Sequence, residues 1–220
     1  MTTNEFIEYY KVIAICRRLD DSDLLRLAEA LFEGGVRLME VTFDQANTAC
    51  CDETARSIRM LRAKFGDDMR IGAGTVLTEA QLEAARQAGA CYIISPNTNP
   101  ALIRRTKELG LTSIPGASTP SEIVTANESG ADFVKLFPAG YYGLSYLNDI
   151  RAPLSHIKLI ATAGIHEQNL GQYLDHGVTG AGISGYLTNK DLIAKKNFQE
   201  LTKRAATLME IVASRRDRID

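Results

Sequence analysis

The chain has little that would mark a metal site, a membrane segment or a nucleic-acid surface. Its three histidines, His156, His166 and His176, form no H-E-x-x-H or similar ligand pair, which argues against a zinc site of that kind. Its four cysteines, Cys16, Cys50, Cys51 and Cys91, include no C-x-x-C spacing, so neither a zinc ribbon nor a redox motif is present. A reduced, cytoplasmic setting is the expectation for that pattern. No stretch approaches the ~18 uninterrupted apolar residues of a membrane helix, and the first ten residues lack the basic region and apolar core of a secretory signal. Like charges never run in blocks. Lysine and arginine number 25 against 27 acidic residues, a net charge of −2. A general nucleic-acid binder needs a basic surplus to neutralise phosphates, and this chain has none. The expected partner is a small molecule, with no nucleic acid and no membrane.

What is present is an ordinary globular composition, 45% hydrophobic and 24% charged over 220 residues. Residues 1–220 read as one domain. Short apolar or β-branched runs alternate with amphipathic stretches. The runs are Lys11–Cys16, Leu38–Phe43, Met69–Thr75, Cys91–Pro96, Thr112–Gly116, Phe133–Pro138, Lys158–Gly164 and Gly180–Gly185. They recur about every 24 residues, the length of a strand–helix unit rather than a hairpin.

Helix punctuation fills the intervals. Thr78-Glu-Ala-Gln81 and Thr119-Pro-Ser-Glu122 fit the capping box. Asn99-Pro100 and Thr119-Pro120 put proline at a first helical position. Gly34-Gly35, Gly89, Gly110, Gly130 and Gly177 stand where left-handed helix ends are expected. A last helix is predicted from about Leu192 to Ala213, with Phe198, Leu201, Leu208 and Ile211 as its apolar stripe. Eight strand–helix repeats favour an α/β architecture, a closed (β/α)₈ TIM barrel with an extra N-terminal helix around residues 4–10. Periodicity alone leaves an open doubly wound sheet as the alternative. In a barrel, the site lies at the carboxyl ends of the strands.

Two residues are out of place in such strands. Lys135 interrupts Phe133-Val-Lys-Leu-Phe137, and alternation puts it on one face with Phe133 and Phe137. A lysine between two phenylalanines loses hydration, which disfavours the ammonium form and leaves a nucleophilic amine. The competing reading is an edge-strand lysine that discourages aggregation. Glu40 shares a face with Leu38 and Thr42, opposite the apolar face of Met39, Val41 and Phe43. If that second face packs on helices, Glu40 points inward, where a carboxylate is costly unless paired or protonated. It reads either as a salt-bridge partner of Lys135 or as a proton shuttle. Glycines at Thr162-Ala-Gly-Ile165 and Gly182-Ile-Ser-Gly185 close the last two strands, where many barrels hold phosphate on backbone N–H groups. Gly72-Ala-Gly-Thr75 lacks the third glycine of a dinucleotide fingerprint, so a Rossmann reading is rejected.

Six segments, in order, resemble the 2-keto-3-deoxy-6-phosphogluconate (KDPG) / 4-hydroxy-2-oxoglutarate (KHG) aldolase family. They are Gly34-Gly-Val-Arg-Leu-Met-Glu-Val-Thr42, Ile71-Gly-Ala-Gly-Thr-Val-Leu77, Ile94-Ser-Pro-Asn97, Ile114-Pro-Gly-Ala-Ser-Thr-Pro120, Lys135-Leu-Phe-Pro138 and Thr162-Ala-Gly-Ile165. The resemblance implies a class I aldolase cleaving a keto acid substrate, expected to be 2-keto-3-deoxy-6-phosphogluconate, to pyruvate and glyceraldehyde 3-phosphate, with 2-keto-3-deoxy-6-phosphogalactonate and 4-hydroxy-2-oxoglutarate as alternatives. It also implies a homotrimer and neither metal nor organic cofactor. By matching motif, Lys135 falls on the Schiff-base lysine and Glu40 on the general acid/base. Arg17 and Thr75 fall on the substrate carboxylate grip, and Gly164, Ser184 and Gly185 on the phosphate cradle. Pro96, Phe137 and Thr162 fall among the substrate-lining positions.

Two departures stand out. Some members have arginine where this chain has Asp44, after Glu40-Val-Thr-Phe, so an anion replaces a cation. Asp44 is expected to brace Arg17 or to meet a sugar hydroxyl. Ala163 stands where the family usually has glycine. Rival readings of the residues are a phosphosugar isomerase or epimerase, with Glu40 as base and Lys135 as a clamp, and a barrel that only binds a phosphorylated ligand.

Overall fold

In the computed structural model, which describes residues 1–216, the alternating runs become parallel strands and the punctuated intervals become helices. The strands are β1 (Val12–Cys16), β2 (Leu38–Thr42), β3 (Arg70–Gly74), β4 (Tyr92–Ile94), β5 (Thr112–Ile114), β6 (Gly116–Ala117), β7 (Val134–Leu136), β8 (Leu159–Thr162) and β9 (Gly180–Ile183). Their order is β5-β4-β3-β2-β1-β9-β8-β7-β6. The two ends of this sheet are halves of the single predicted strand at Thr112–Gly116, split at Pro115. Proline has no N–H to give to a ladder, so the strand breaks there and bends. Across the break, the Pro115 carbonyl accepts from Lys135 N at 2.8 Å and the Ser113 carbonyl from Asp132 N at 3.0 Å. The ring therefore closes through the chain itself, and the open-sheet alternative falls.

Ten helices accompany the strands among the described residues. They are α1 (Thr3–Tyr10), α2 (Asp21–Glu33), α3 (Cys50–Phe65), α4 (Glu79–Gln87), α5 (Pro100–Glu108), α6 (Pro120–Glu128), α7 (Ala139–Arg151), α8 (Leu170–Asp175), α9 (Lys190–Ala194) and α10 (Phe198–Arg216). Helix α6 starts on the complete capping box predicted at Thr119 and Glu122. The box predicted at Thr78 is half made: Thr78 accepts from Gln81 N, but the Gln81 side chain bonds Leu77 N instead of returning to Thr78. The expected last helix is two. Lys196 takes a left-handed φ of 56° between α9 and α10, and Asn197 accepts from Glu200 N at the start of the second. The apolar spacing runs on across this break, which is why pattern alone hides it.

Alternation sorts the strand residues into two buried clusters. Met39, Val41, Phe43, Val134 and Leu136 join the layer between strands and helices. Ile13, Leu38, Tyr92, Ile94, Ile114, Phe133 and Ile160 fill the barrel interior, and Phe6 and Ile7 of α1 close its N-terminal end. Burying one such side chain contributes about 1.5–3 kcal/mol. The N-terminal plug is also tied by Asp132, which accepts from Asn4 Nδ2 at 2.9 Å and from Lys107 Nζ at 2.7 Å.

Candidate active site

Above the apolar interior, three strands place a polar residue at the next inward position, and there the chemistry changes. On β2, Leu38 gives way to Glu40. Phe133, just before β7, gives way to Lys135 on it. On β8, Ile160 gives way to Thr162. Strands β2 and β7 lie four places apart in a ring of eight, so Glu40 and Lys135 approach from opposite walls. Glu40 is 2% exposed and Lys135 6%. No hydrogen bond or ion pair joins them, so the salt-bridge reading of Glu40 is not what is found.

Burial sets the character of both groups. Loss of hydration pushes the Glu40 carboxyl above its ordinary 4.5, and the nearby charges of Lys135 and Arg17 only partly oppose this. The same loss pulls the Lys135 ammonium below its ordinary 10.5; Glu40 opposes that shift and Arg17 adds to it. The Lys135 Nζ lies 5.1 Å from the centre of the Phe137 ring. Gly74, paired with Thr42 in the next strand, leaves the space the Glu40 carboxylate fills, since a methyl group there would run into Glu40 Oε1. Gly72 does the same for the Tyr92 ring. A desolvated amine facing a carboxyl group that readily holds a proton is equipped to attack a carbonyl and to move protons around it.

A cavity of about 990 Å³ opens at the carboxyl ends of the strands. Of the residues predicted from sequence, Arg17, Thr75, Pro96, Ser184 and Gly185 line it. Glu40, Lys135 and Thr162 are buried on the inward strand faces, while Phe137 and Gly164 follow β7 and β8 outside the cavity wall. Arg17 follows β1 and Thr75 follows β3, so they flank Glu40 from the two strands next to β2. Ala163 and Gly164 are both left-handed, at φ 74° and 73°. Gly164 lies so close to Gly140 that a side chain there would meet the Gly140 backbone at 3.0 Å.

Asp44 does not brace Arg17. It grips Arg18, Nε to Oδ2 at 2.9 Å and Nη2 to Oδ1 at 3.0 Å. The two-pronged geometry suits a guanidinium at this distance, whereas Arg17 is left exposed to the cavity. Sequence reading also missed Gln45, Thr188, Asn189 and Lys190, all on the cavity wall. Their one signal is position, in the loops that follow β2 and β9 and, for Lys190, at the start of α9.

Fold and geometry together define an enzyme barrel with an inward amine and an inward carboxyl group under an open mouth. The family model described as "KDPG and KHG aldolase" matches residues 3–204. The chain belongs to that family, and is an aldolase, a carbon–carbon lyase. It is 33% identical over 213 residues to 2-dehydro-3-deoxy-phosphogluconate aldolase of Treponema pallidum, covering 96% of this chain and 98% of the relative. It is 33% identical over 177 residues to 2-dehydro-3-deoxy-6-phosphogalactonate aldolase of Escherichia coli, covering 80% and 83%. A solved KDPG aldolase from Legionella pneumophila, with pyruvate captured as a covalent carbinolamine intermediate, superposes with a TM-score of 0.83 at 28% identity. That match covers 94% of this chain and 97% of the other.

Proposed function

We propose that the chain cleaves a phosphorylated 2-keto-3-deoxy sugar acid, first among candidates 2-keto-3-deoxy-6-phosphogluconate, to pyruvate and glyceraldehyde 3-phosphate. The observation that carries this is the buried, unpaired Lys135 amine facing a buried Glu40 across the barrel. The amine adds to the C2 ketone, and the former ketone oxygen leaves as water to give an iminium. The C4 hydroxyl then loses its proton, the C3–C4 bond breaks, and its electrons pass into the iminium to form an enamine. Protonation at C3 and addition of water release pyruvate and the free lysine. Glu40, biased by burial toward its protonated form, gives and takes the protons. Arg17 and Thr75 hold the carboxylate next to C2, with the planar arginine suited to a two-point grip. Gly164, Ser184 and Gly185 receive the phosphate, and Pro96, Phe137 and Thr162 line the path between.

The first relative's coverage of nearly the whole chain supports the gluconate substrate. Asp44 at the mouth, together with the galactonate-type relative, favours assaying the galactonate epimer and 4-hydroxy-2-oxoglutarate beside it. The chain works as a homotrimer in the cytoplasm on this reading, and four free thiols accord with a reducing setting. Borohydride treatment with pyruvate tests the chemistry: a stable adduct on the Lys135 peptide is expected. Absence of both a trapped adduct and pyruvate release from the keto acids would return the isomerase reading, in which Lys135 is only a clamp. Light scattering at three times the chain mass checks the trimer.

A further inference from the structure

Two long or branched residues at the mouth are held in the left-handed region, Arg18 at φ 53° and Thr75 at φ 57°. For threonine in particular this is an outlier. Such backbone persists only where surrounding groups over-determine it. Arg18 adjoins Arg17, and Thr75 is the second member of the proposed carboxylate grip. Both restraints come from one dipeptide in the loop after β2.

Asp44 binds the Arg18 guanidinium at two points, 2.9 and 3.0 Å, and accepts Ala46 N at 3.2 Å. Gln45 donates its Nε2 to the Thr75 carbonyl at 2.8 Å. Gln45 is itself held, since its Oε1 accepts from Gln81 Nε2 at 2.9 Å. Gln81, 5% exposed on α4, accepts from Leu77 N at 2.8 Å through its Oε1. The turn from Thr75 to Leu77 is thereby pinned at both ends by a chain of two amides. Three mouth loops, those after β1, β2 and β3, are tied into one rim.

We propose that Asp44-Gln45 is the positioning element for the substrate carboxylate, holding Arg17 and Thr75 at a set separation on either side of Glu40. The proposal rests on the assignment of Arg17 and Thr75 made above. It explains how an anion is tolerated at the mouth of a site for anionic substrates: Arg18 takes up the Asp44 charge, and Arg17 remains free. Asp44 thus acts through its neighbours and not by touching a sugar hydroxyl.

The test is the pyruvate concentration that half-saturates the borohydride-trapped adduct, since pyruvate has the carboxylate but no sugar hydroxyls. Arg18→Ala, Asp44→Ala and the double variant form one cycle. Each single change is expected to raise half-saturating pyruvate about two- to fivefold, the scale of one exposed ion pair, with the double variant no worse. Gln45→Ala and Gln81→Ala are expected to raise it roughly three- to tenfold, the scale of one hydrogen bond, and again without adding together. The maximal rate of adduct formation stays near that of the parent protein. If the variants lose thermal stability while half-saturating pyruvate stays put, the strap is structural and the proposal falls. If Asp44→Ala raises KM only for the six-carbon acid, Asp44 meets a sugar hydroxyl and the proposal also falls. Arg17→Ala without effect on pyruvate would overturn the carboxylate assignment and the strap with it. An adduct that forms normally while the strap variants behave as wild type overturns the strap alone.

Discussion

The two ends of the barrel are made from the same strands and serve opposite purposes. At the N-terminal end, Leu38, Phe133 and Ile160 pack with Phe6 and Ile7 into a closed apolar plug. Two residues further along the same three runs, toward the other end, stand Glu40, Lys135 and Thr162, all buried. One end is stabilised by burial. The other carries desolvated charge and left-handed backbone at Arg18, Thr75 and Ala163, each of which costs stability. The comparison teaches that a shift of one pleat, some 6–7 Å along a strand, separates packing from chemistry.

The sharpest way to break that comparison is to change neighbours at β7. Lys135→Met should abolish both the pyruvate adduct and cleavage while the barrel folds. Phe133→Ala should cost about 3–5 kcal/mol of stability and leave the adduct intact per folded molecule. Mass spectrometry after borohydride, beside urea unfolding, reads both; an adduct surviving in the lysine variant would remove Lys135 from the reaction.

On β2, Glu40→Gln should slow turnover by roughly 10²–10⁴ while still permitting some imine. It should also stabilise the protein, with a pH signature. The folded carboxyl holds its proton above 4.5, so wild-type stability from this group is complete below 4.5 and declines as pH rises through the higher folded value. The glutamine variant lacks that decline. Its advantage in melting temperature should grow with pH above 4.5, and a pH-independent difference would mean that Glu40 titrates normally.

Arg17 should matter less than either. Its replacement by alanine is expected to lower kcat/KM roughly ten- to hundredfold, the scale of a charged hydrogen bond. Arg17→Lys keeps the charge but loses the planar fork, so it should recover little of that loss. Steady-state kinetics on the best keto acid decide, and unchanged kcat/KM in the alanine variant would place the carboxylate elsewhere.

The smallest effect belongs to Ala163. Its φ of 74° is costly for a residue with a side chain. Ala163→Gly should relieve this strain, partly offset by the greater freedom of glycine in the unfolded chain, for a net gain of about 0.5–1 kcal/mol. Denaturant midpoints would show it. A loss of stability would mean that the Ala163 methyl contributes packing worth more than the strain.

Much of the ring was legible without coordinates, because strand burial and helix capping are local and leave periodic marks. Alternation set Met39, Val41 and Phe43 on one face with Glu40 on the other, and set Lys135 on a face with Phe133; the barrel then made the first face outward and Glu40 and Lys135 inward. The glycines expected to end helices do so, five of them at positive φ. Pro115 shows the limit of pattern: an apolar run reads as one strand, but the missing N–H cuts it in two. Lys196 shows another, since a lysine took the left-handed place where glycine would have signalled a helix end.

By itself, then, the order of residues determined the repeating strand–helix unit, the inward faces, and the identity of the lysine and glutamate that stand on them. These depend on neighbours within a few positions, whose spacing is written in the chain. Tertiary structure alone decided that β2 faces β7 across the barrel, that Asp44 pairs with Arg18 and not Arg17, and that Gln81 reaches Thr75 through Gln45. Each of those joins residues from separate loops or opposite walls. Closure of the ring sets such distances, and no local periodicity records them.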